Sequence, residues 1–407
     1  MNVLYVVGAC LTKNTSANMS HNSYVQGLLE NGCKLDILMA EDSWGQEDAA
    51  LPTWKEARYF RYPSVSGADR LRKRFTKASA APQPGKASAD AGAAAAGRPG
   101  LKAVAREWIK KAFYLCFPRD PVYPLEATWL KKARSFRSSV VYDLVVSNSS
   151  PAASHKLVQH LIEDKKLSCR RWVQIWEDPW YYDLYGGHTE QERQEEHALL
   201  RGATEVYYVS PLTLTYQQRH YPDCAHKMKH IPLPYLEIPD EDPTAAVPGS
   251  FGYFGDYYSG TRNLLPFYEA MKATGAVGSI YGDSDLGLAS TEAITVSGRV
   301  TLDILAQVQS KTEVLVHLCN LRGGQIPGKI YHYSATTKPI LFILDGTAEE
   351  QQILRTYFGQ FDRYYFCENT TESILSAIKA LQADIAAGKK WDAVEAFSPK
   401  AVVSQLG

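Results

Sequence analysis

The sequence predicts an α/β protein made of two doubly wound domains. Short apolar segments alternate with segments of helical periodicity along its 407 residues, which is typical of parallel sheets covered by helices. The alternation restarts after a segment rich in proline and acidic residues, 236–250, which predicts a linker. The length also suits two domains of roughly 150 to 200 residues better than one. We therefore expect two domains that face a cleft.

The first half contains five predicted strands and a capped helix. The predicted strands are Asn2–Val7, Lys34–Met39, Tyr142–Ser147, Trp172–Trp176 and Val206–Ser210. Ser20 is a candidate N-cap for a helix after the first strand, and Gly32 ends that helix. No G-x-G-x-x-G follows the first strand, so a dinucleotide site is not indicated.

An insertion from 64 to 121 interrupts the first half and contains two kinds of segment. Residues 78–100 are mostly alanine, glycine, proline and serine, a composition that predicts disorder. Residues 101–117 repeat apolar side chains at helical spacing, with lysine and arginine on the other faces. Such a helix is a candidate for contact with an anionic membrane. The alternative is that its apolar stripe packs on the first domain.

The second half restarts the same alternation. The predicted strands are Phe251–Phe254, Ser279–Tyr281, Val314–His317 and Pro339–Ile343. Predicted helices run from Arg262 to Lys272, after Thr301 and from near Gly328. Two wound halves in tandem place a cleft between them.

Composition argues against several classes of protein. There are 44 basic and 44 acidic residues, so no overall charge favours binding of nucleic acid. No apolar stretch is long enough to span a bilayer, and the chain begins as a core strand without a signal peptide, which predicts a cytoplasmic protein. The seven cysteines form no C-x-x-C pair, so we expect neither disulfides nor zinc.

A glycine-containing loop before a lysine-bearing helix is the strongest indication of function. Gly323 and Gly324 expose backbone amides, and Pro327 sits where it costs no helical hydrogen bond. The N–H groups of the helix that begins near Gly328 are expected to point at an anion, and Lys329 adds a positive charge. This arrangement suits a diphosphate.

The same segment resembles a motif of the retaining, nucleotide-sugar-dependent glycosyltransferases of the GT-B fold, in the family-4-like group. These enzymes often have Pro-x-Lys-aliphatic-aromatic-Glu-Tyr, and here the sequence is Pro327-Gly-Lys-Ile-Tyr-His-Tyr333. His332 replaces the glutamate that holds the nucleotide ribose, and Gly324 replaces the earlier acid of the family's glutamate pair. Asp256 stands where many relatives have arginine.

The resemblance implies two Rossmann-like domains, 1–235 on the acceptor side and 251–390 on the donor side, with 391–407 returning to the first domain. It implies transfer of a sugar from a nucleotide diphosphate donor to a glycan or lipid-linked glycan, without a metal cofactor. Arg262 and Lys329 would neutralise the leaving diphosphate. Glu177 and Asp178 follow a strand at the cleft and would act near the sugar. The predicted donor-binding residues are Gly8, Gly323, Gly324, Gln325, Ile326, Pro327, His332 and Tyr333.

Three alternatives stay open at this point. Without the glutamate pair, the chain could be a degenerate GT-B protein that binds a glycan or a partner without turnover. It could also be a nucleotide-sugar epimerase of the same architecture. At the level of single residues, His332 and Tyr333 could belong to the core, and Glu177 and Asp178 could be loop acids without a role.

Overall fold

The fold contains two parallel β-sheets, one in each half of the chain. The computed structural model describes residues 1–13, 15–41, 48, 51–67, 69, 120–183, 188–235 and 246–407. The predicted low-complexity and amphipathic segments, 78–100 and 101–117, lie outside these residues, as does most of the predicted linker. The two sheets confirm the prediction of an α/β protein with two doubly wound parts.

The first sheet has seven described strands in the order β3-β2-β1-β4-β5-β6-β7. They are β1 (Asn2–Val7), β2 (Lys34–Glu41), β3 (Arg58–Pro63), β4 (Val141–Asn148), β5 (Ser168–Trp176), β6 (Glu205–Tyr208) and β7 (Met228–His230). The five predicted strands form, and β3 and β7 are added at the edges. β3 contains two arginines among its aromatic residues and β7 is short, so neither has the apolar run of a central parallel strand.

The second sheet has six described strands in the order β10-β9-β8-β11-β12-β13. They are β8 (Val247–Phe254), β9 (Gly278–Tyr281), β10 (Ile294–Ser297), β11 (Thr312–Leu318), β12 (Ile340–Leu344) and β13 (Tyr364–Glu368). β8 begins at Val247 and not at Phe251, so the predicted linker is too long. Gly249 has a φ of +73°, and the pairing with β11 shifts register near Thr312. Because the start of β8 is irregular and contains proline and glycine, its sequence lacks the pattern of a strand there.

The helices of the described residues differ from the prediction at three boundaries. They are α1 (Ser16–Glu30), α2 (Ala127–Ala133), α3 (Ala153–Glu163), α4 (Glu190–Gly202), α5 (Pro211–His220), α6 (Leu265–Thr274), α7 (Leu302–Ser310), α8 (Lys329–Ser334), α9 (Ala348–Phe358), α10 (Thr371–Ala386) and α11 (Pro399–Ser404). Thr15 caps α1, and Ser20 lies inside it. Ser210 does not extend β6 but caps α5. Arg262 precedes α6, which has Pro266 in its first turn.

Each sheet has a hydrophobic cluster on both of its faces. Leu4 and Val6 of β1 belong to one cluster of the first half, while Val3 and Val7 belong to the other. The second half is also covered on both faces. Because both faces of each sheet are buried, the sequences of the central strands are nearly continuous apolar runs.

The C-terminal helix α11 returns to the first half and packs on α1. A Cβ atom on Gly27 would lie 2.1 Å from the carbonyl oxygen of Pro399, so the two helices approach closely only because residue 27 is glycine. Asn31 Nδ2 also donates a hydrogen bond to the carbonyl oxygen of Lys400 at 2.9 Å. These contacts confirm the predicted return of the C-terminal helix.

Helix α5 connects the two halves. Leu212, in its first turn, belongs to a hydrophobic cluster whose other buried members lie in the second half. The Tyr216 hydroxyl donates to Glu350 Oε1 at 3.0 Å. From the second half, the Tyr331 hydroxyl donates to the carbonyl oxygen of Val209 at 3.1 Å. Apolar and polar contacts along α5 therefore hold the second half against the first.

Two further features relate to expectations from composition. The six described cysteines have free thiols, and five of them are buried. Burial raises the pKa of Cys319 and of Cys367, so these thiols stay protonated at neutral pH. No helix in the described part of the chain is long and apolar enough to cross a membrane.

Candidate functional site

The second sheet gathers basic side chains at the carboxyl ends of β8 and β10. β8 pairs with β11, although β9 and β10 lie between them in the chain, so the strand order reverses there. In doubly wound folds such a switch point leaves a crevice in which ligands bind. Lys329 begins α8, Arg262 follows β8 and Arg299 follows β10. Both arginines act electrostatically on Lys329, so the three cations share one edge of the sheet.

The amine of Lys329 lies against the end of β8. It donates a hydrogen bond to the carbonyl oxygen of Phe254, the last residue of that strand. The side chain keeps contact with solvent, but protein surrounds it on the other sides of the crevice. This loss of bulk water lowers the pKa of Lys329; Asp256 opposes the effect and Arg262 adds to it. A cation in this setting is stabilised by an approaching anion.

Arg262 is fixed through its backbone and incompletely paired at its guanidinium. Its N–H donates to the carbonyl oxygen of Tyr258 at 2.8 Å. The guanidinium forms a hydrogen bond with the Tyr253 hydroxyl. Arg262 Nε is buried and has no hydrogen-bond partner among the described residues. Because an unpaired buried donor is unfavourable, this atom indicates a place for an acceptor.

Asp256 introduces a negative charge at the same edge and binds Arg299. Arg299 Nε donates to Asp256 Oδ1 at 3.0 Å, and Arg299 Nη2 donates to Oδ2. Asp283 Oδ2 lies 3.3 Å from Arg299 Nε. The hydrogen bond with Arg299 lowers the pKa of Asp256. The Asp256 carboxylate thus binds an arginine that follows the end of β10.

The glycine loop is used for contact between the halves. Gly323 has a φ of +93°, a conformation that favours glycine. The carbonyl oxygen of Gly324 accepts hydrogen bonds from Ser210 Oγ at 2.5 Å and Thr213 Oγ1 at 2.7 Å. A Cβ atom on Gly324 would lie 3.0 Å from Thr213 Cα. Glycine at position 324 therefore permits a close approach to the start of α5.

The start of α8 differs from the predicted anion-binding helix end. α8 contains six residues. The N–H groups of Ile330 and Tyr331 donate to the carbonyl oxygens of Pro327 and Gly328, at 3.3 Å and 3.2 Å. These amides are already paired, so the expectation that they point at an anion is wrong for these two. Lys329 is left as the feature of this segment that could interact with an anion through its charge.

The remaining predicted donor residues lie along the same segment. Gln325 Nε2 donates to Asp178 Oδ1 of the first half at 2.8 Å. Ile326 packs against the hydrophobic cluster beside α8. Tyr333 is buried and its hydroxyl donates to the Phe254 carbonyl oxygen at 3.5 Å, so it supports the end of β8. His332 is half-buried, and burial with the nearby Lys329 lowers its pKa to about 4.

The first sheet places a buried acid at its own carboxyl edge. Glu177 follows β5, its side chain is 11% exposed, and its Oε1 lies 3.7 Å from His21 Nδ1 of α1. Oε1 has no hydrogen-bond partner among the described residues. Burial raises the pKa of Glu177 well above its usual value, and burial lowers that of His21 to about 4. Burial therefore disfavours the charged form of both groups.

Asp178 faces the glycine loop from the first half. Its carboxylate keeps direct contact with solvent, yet the walls of the cleft surround it at a greater distance. Removal of bulk water by these walls and the charge of Asp183 raise the pKa of Asp178 to about 6. Its hydrogen bond with Gln325 opposes that rise. Glu177 and Asp178 are adjacent but have different surroundings, one enclosed and one open to the cleft.

Gly8 ends β1 and is packed closely against the first half. A Cβ atom on Gly8 would lie 2.7 Å from Pro151 Cγ. Its N–H donates to Ser154 Oγ at 2.9 Å. Both contacts lie within the first half. The close packing of Gly8 against these neighbours is therefore enough to require a glycine at this position.

Comparison with solved structures identifies the architecture. The chain aligns over 99% of its length with 91% of a glycosyltransferase from Rickettsia africae, at 13% identity and a TM-score of 0.50. It aligns over 100% of its length with 95% of an α-glucosyltransferase solved with UDP and a 13-mer DNA, at 12% identity and a TM-score of 0.51. The chain has the GT-B fold. No family model and no curated protein matches the sequence, so the likeness concerns the fold alone.

Several residues of this GT-B cleft are not predicted from the sequence. Arg299 and His21 reach the site from β10 and α1, and Glu196 of α4 anchors the loop after Asp178. Glu196 is fully buried and accepts hydrogen bonds from the N–H of Tyr181 at 2.9 Å and from the Tyr221 hydroxyl at 3.0 Å. The polar run inside the first predicted helix is the signal for His21, because a helix with such residues needs polar partners when buried.

One group of side chains in the described residues has ligand types suited to a metal ion. His197, Asp223 and Cys224 place their ligand atoms within 4.8 Å of one another. However, Arg201 Nε also donates to Asp223 Oδ2 at 3.1 Å. A guanidinium on the same carboxylate neutralises the charge that a cation would need. The group fits an ion-pair cluster better than a metal centre of the GT-B protein.

Proposed function

We propose that this chain is a glycosyltransferase that takes a sugar from a nucleotide diphosphate donor. One observation carries the proposal: Lys329 and Arg262 converge in the crevice beside β8, where Arg262 Nε lacks a partner among the described residues. A donor diphosphate gains negative charge as the bond between its oxygen and the sugar C1 breaks. Cations fixed at that place stabilise the transition state more than the bound donor.

The proposed reaction is retaining, as the family resemblance implies. The acceptor hydroxyl oxygen forms a bond to C1 on the face from which the diphosphate leaves, and its proton is released. Lys329 and Arg262 stabilise the departing diphosphate, and no metal ion is required. His332, next to Lys329 and uncharged, would bond a ribose hydroxyl in place of the usual glutamate.

The acceptor is proposed to be a glycan or a lipid-linked glycan that enters beside the first sheet. Asp178 and Glu177 line that edge, and Trp180, Tyr181 and Tyr182 follow them with aromatic faces suited to sugar rings. Trp180 packs on Tyr123 with ring centroids 5.5 Å apart. A cytoplasmic location with peripheral contact to an anionic membrane through residues 101–117 belongs to the same proposal.

The test is the release of a nucleoside diphosphate. The full chain is incubated with UDP-, GDP-, ADP- and dTDP-sugars, with and without glycan acceptors, and the liberated diphosphate is quantified. We expect release with one donor class that depends on an acceptor and is lost in the Lys329→Ala variant. Saturation-transfer NMR with the same donors identifies the bound nucleotide. Absence of both release and binding for every donor contradicts the proposal.

A second candidate is a GT-B protein that binds a nucleotide sugar or glycan without turnover. It is favoured by Gly324, which contacts the first half where the family has an acid, and by His332 in place of the glutamate. The same experiment separates the two. Saturable donor binding without release of diphosphate, across the panel of acceptors, favours the binding protein.

A further inference from the structure

We propose that Arg299 masks the negative charge of Asp256 and thereby keeps the crevice receptive to a diphosphate. The inference rests on the proposed function, because it concerns the same site. Asp256 lies two residues after Phe254, whose carbonyl oxygen holds the amine of Lys329. Arg299 is a positioning residue in this scheme and does not itself need to touch the ligand.

The geometry makes Asp256 the centre of the local charge arrangement. The carboxylate acts electrostatically on Lys329, and Arg262 acts on the carboxylate. Its side chain is 21% exposed, so water screens it only in part. A carboxylate that interacts with both cations would repel a diphosphate bound beside them, because like charges repel more strongly where water screens them only in part.

Arg299 is oriented by carboxylates on more than one side. Its Nε and Nη2 atoms donate to the two oxygens of Asp256, which is the paired geometry that arginine forms best with carboxylates. Asp283 Oδ2 lies 3.3 Å from the same Nε, and the Arg299 backbone N–H donates to Asp283 Oδ1 at 3.4 Å. The Asp283 N–H in turn donates to Asp256 Oδ1 at 3.0 Å. These bonds connect the ends of β8, β9 and β10 around one guanidinium.

This arrangement favours charge masking over direct binding. The Nε and Nη2 atoms of Arg299 are already bound to Asp256, and the Arg299 side chain is 68% exposed. Removal of Arg299 leaves the Asp256 carboxylate without its paired guanidinium, beside Lys329 and Arg262. Removal of the Asp256 charge as well eliminates the need for Arg299. The pair is therefore expected to behave non-additively.

The experiment is a double-mutant cycle on the full chain. Inorganic pyrophosphate is the probe, because its binding depends on phosphate charge and not on a nucleobase; its affinity is measured by calorimetry at low and moderate salt. Arg299→Ala is expected to weaken binding about tenfold. Adding Asp256→Asn to Arg299→Ala is expected to restore affinity to within about threefold of wild type.

Arg134→Ala is the matched control. Arg134 forms a similar paired contact with Asp164 in the first half, with both N–O distances at 2.8 Å. Its removal is expected to leave pyrophosphate affinity unchanged. Circular dichroism of each variant checks that the fold is intact.

The outcomes separate this inference from the function on which it depends. If Lys329→Ala weakens pyrophosphate binding and Arg299→Ala does not, the masking role is wrong and the diphosphate site stands. If the double variant stays as weak as Arg299→Ala, Arg299 binds the ligand directly and masking is again wrong. If the wild type does not bind pyrophosphate, or Lys329→Ala binds it equally well, the diphosphate site fails and the inference fails with it.

Discussion

The two halves of the molecule share a strand order around their switch points but differ in chemistry at their carboxyl edges. In the second half, Lys329 and Arg262 place positive charge at a crevice, and Arg299 pairs there with Asp256. In the first half, the corresponding edge contains Glu177 and His21, where burial raises the pKa of the carboxyl and lowers that of the imidazole to about 4. The same strand order therefore presents a group of cations at one edge and two acidic side chains, Glu177 and Asp178, at the other. The side chains, and not the fold, decide which ligand each edge accepts.

The difference has a physical origin in hydration. The cations keep contact with solvent at the crevice, which allows them to remain charged until a ligand arrives. The first-half groups lie deeper, where Tyr5 donates to or accepts from His21 Nδ1 at 3.0 Å and Asn148 Nδ2 donates to the Tyr5 hydroxyl at 2.9 Å. Burial raises the pKa of Glu177, and a carboxyl that holds its proton can both donate and accept a hydrogen bond, as a sugar hydroxyl requires.

The largest expected effect comes from removal of the second-half cations. Lys329→Ala and Arg262→Ala are each expected to reduce kcat at least about a hundredfold, because the lost charge acts mainly on the departing diphosphate. The rate of diphosphate release under saturating donor measures this effect. Lys272→Ala is the control, since Lys272 is an exposed lysine of the same half paired with Glu269. Wild-type turnover in Lys329→Ala or Arg262→Ala would exclude that residue from the donor site.

The contact between the halves is expected to be the next most sensitive feature. Gly324→Ala places a Cβ atom 3.0 Å from both Cα and Oγ1 of Thr213, so the loop or α5 must shift. We expect a loss of about 2 kcal/mol in the free energy of unfolding, measured by urea denaturation. Gly260→Ala is the matched control, because a Cβ there meets no atom within 4 Å. Equal free energies of unfolding for Gly324→Ala and Gly260→Ala would show that the contact between Gly324 and Thr213 has room for a methyl group.

A pH-dependent effect is expected at Glu177, at the carboxyl edge of the first sheet. The folded-state pKa of Glu177 is raised, so wild type loses stability as pH rises above the unfolded pKa, because the carboxyl releases its proton more readily in the unfolded chain than in the fold. Glu177→Gln removes this loss. The variant should match wild type near pH 4 and exceed it by about 1 kcal/mol near pH 8 in urea unfolding. A difference that is constant across this range would mean that Glu177 is not buried as a neutral acid.

The fold could be predicted from the sequence further than the site could. Central strands such as β1 and β12 are apolar along their length because both faces are buried, and that pattern is visible in one sequence. Edge strand β3 and the irregular start of β8 lack the pattern. The resemblance around Lys329 also indicated the GT-B fold, whose architecture the structural comparison supports.

The site depends on contacts between segments that are distant in sequence. Arg299 lies 43 residues from Asp256, and Gly324 lies 114 residues from Ser210, so no local pattern indicates either contact. Whether the amides at the start of α8 are paired depends on the residue at which its first turn begins. The proline and glycine there do not determine that residue from the sequence alone. The charge of each site residue could therefore be predicted from the sequence, whereas its hydrogen-bond and ion-pair partners could not.

The smallest expected effect concerns His332, next to the cations of the second half. Its pKa of about 4 keeps the imidazole neutral from pH 6 to 8, so it can provide one hydrogen bond to the nucleotide ribose. His332→Ala is expected to weaken binding of the cognate nucleotide about fivefold at both pH values, and His332→Glu, the common family residue, to preserve or strengthen it. Calorimetry measures both, with His226→Ala as an exposed control. Wild-type affinity in both His332 variants would assign this residue to packing alone.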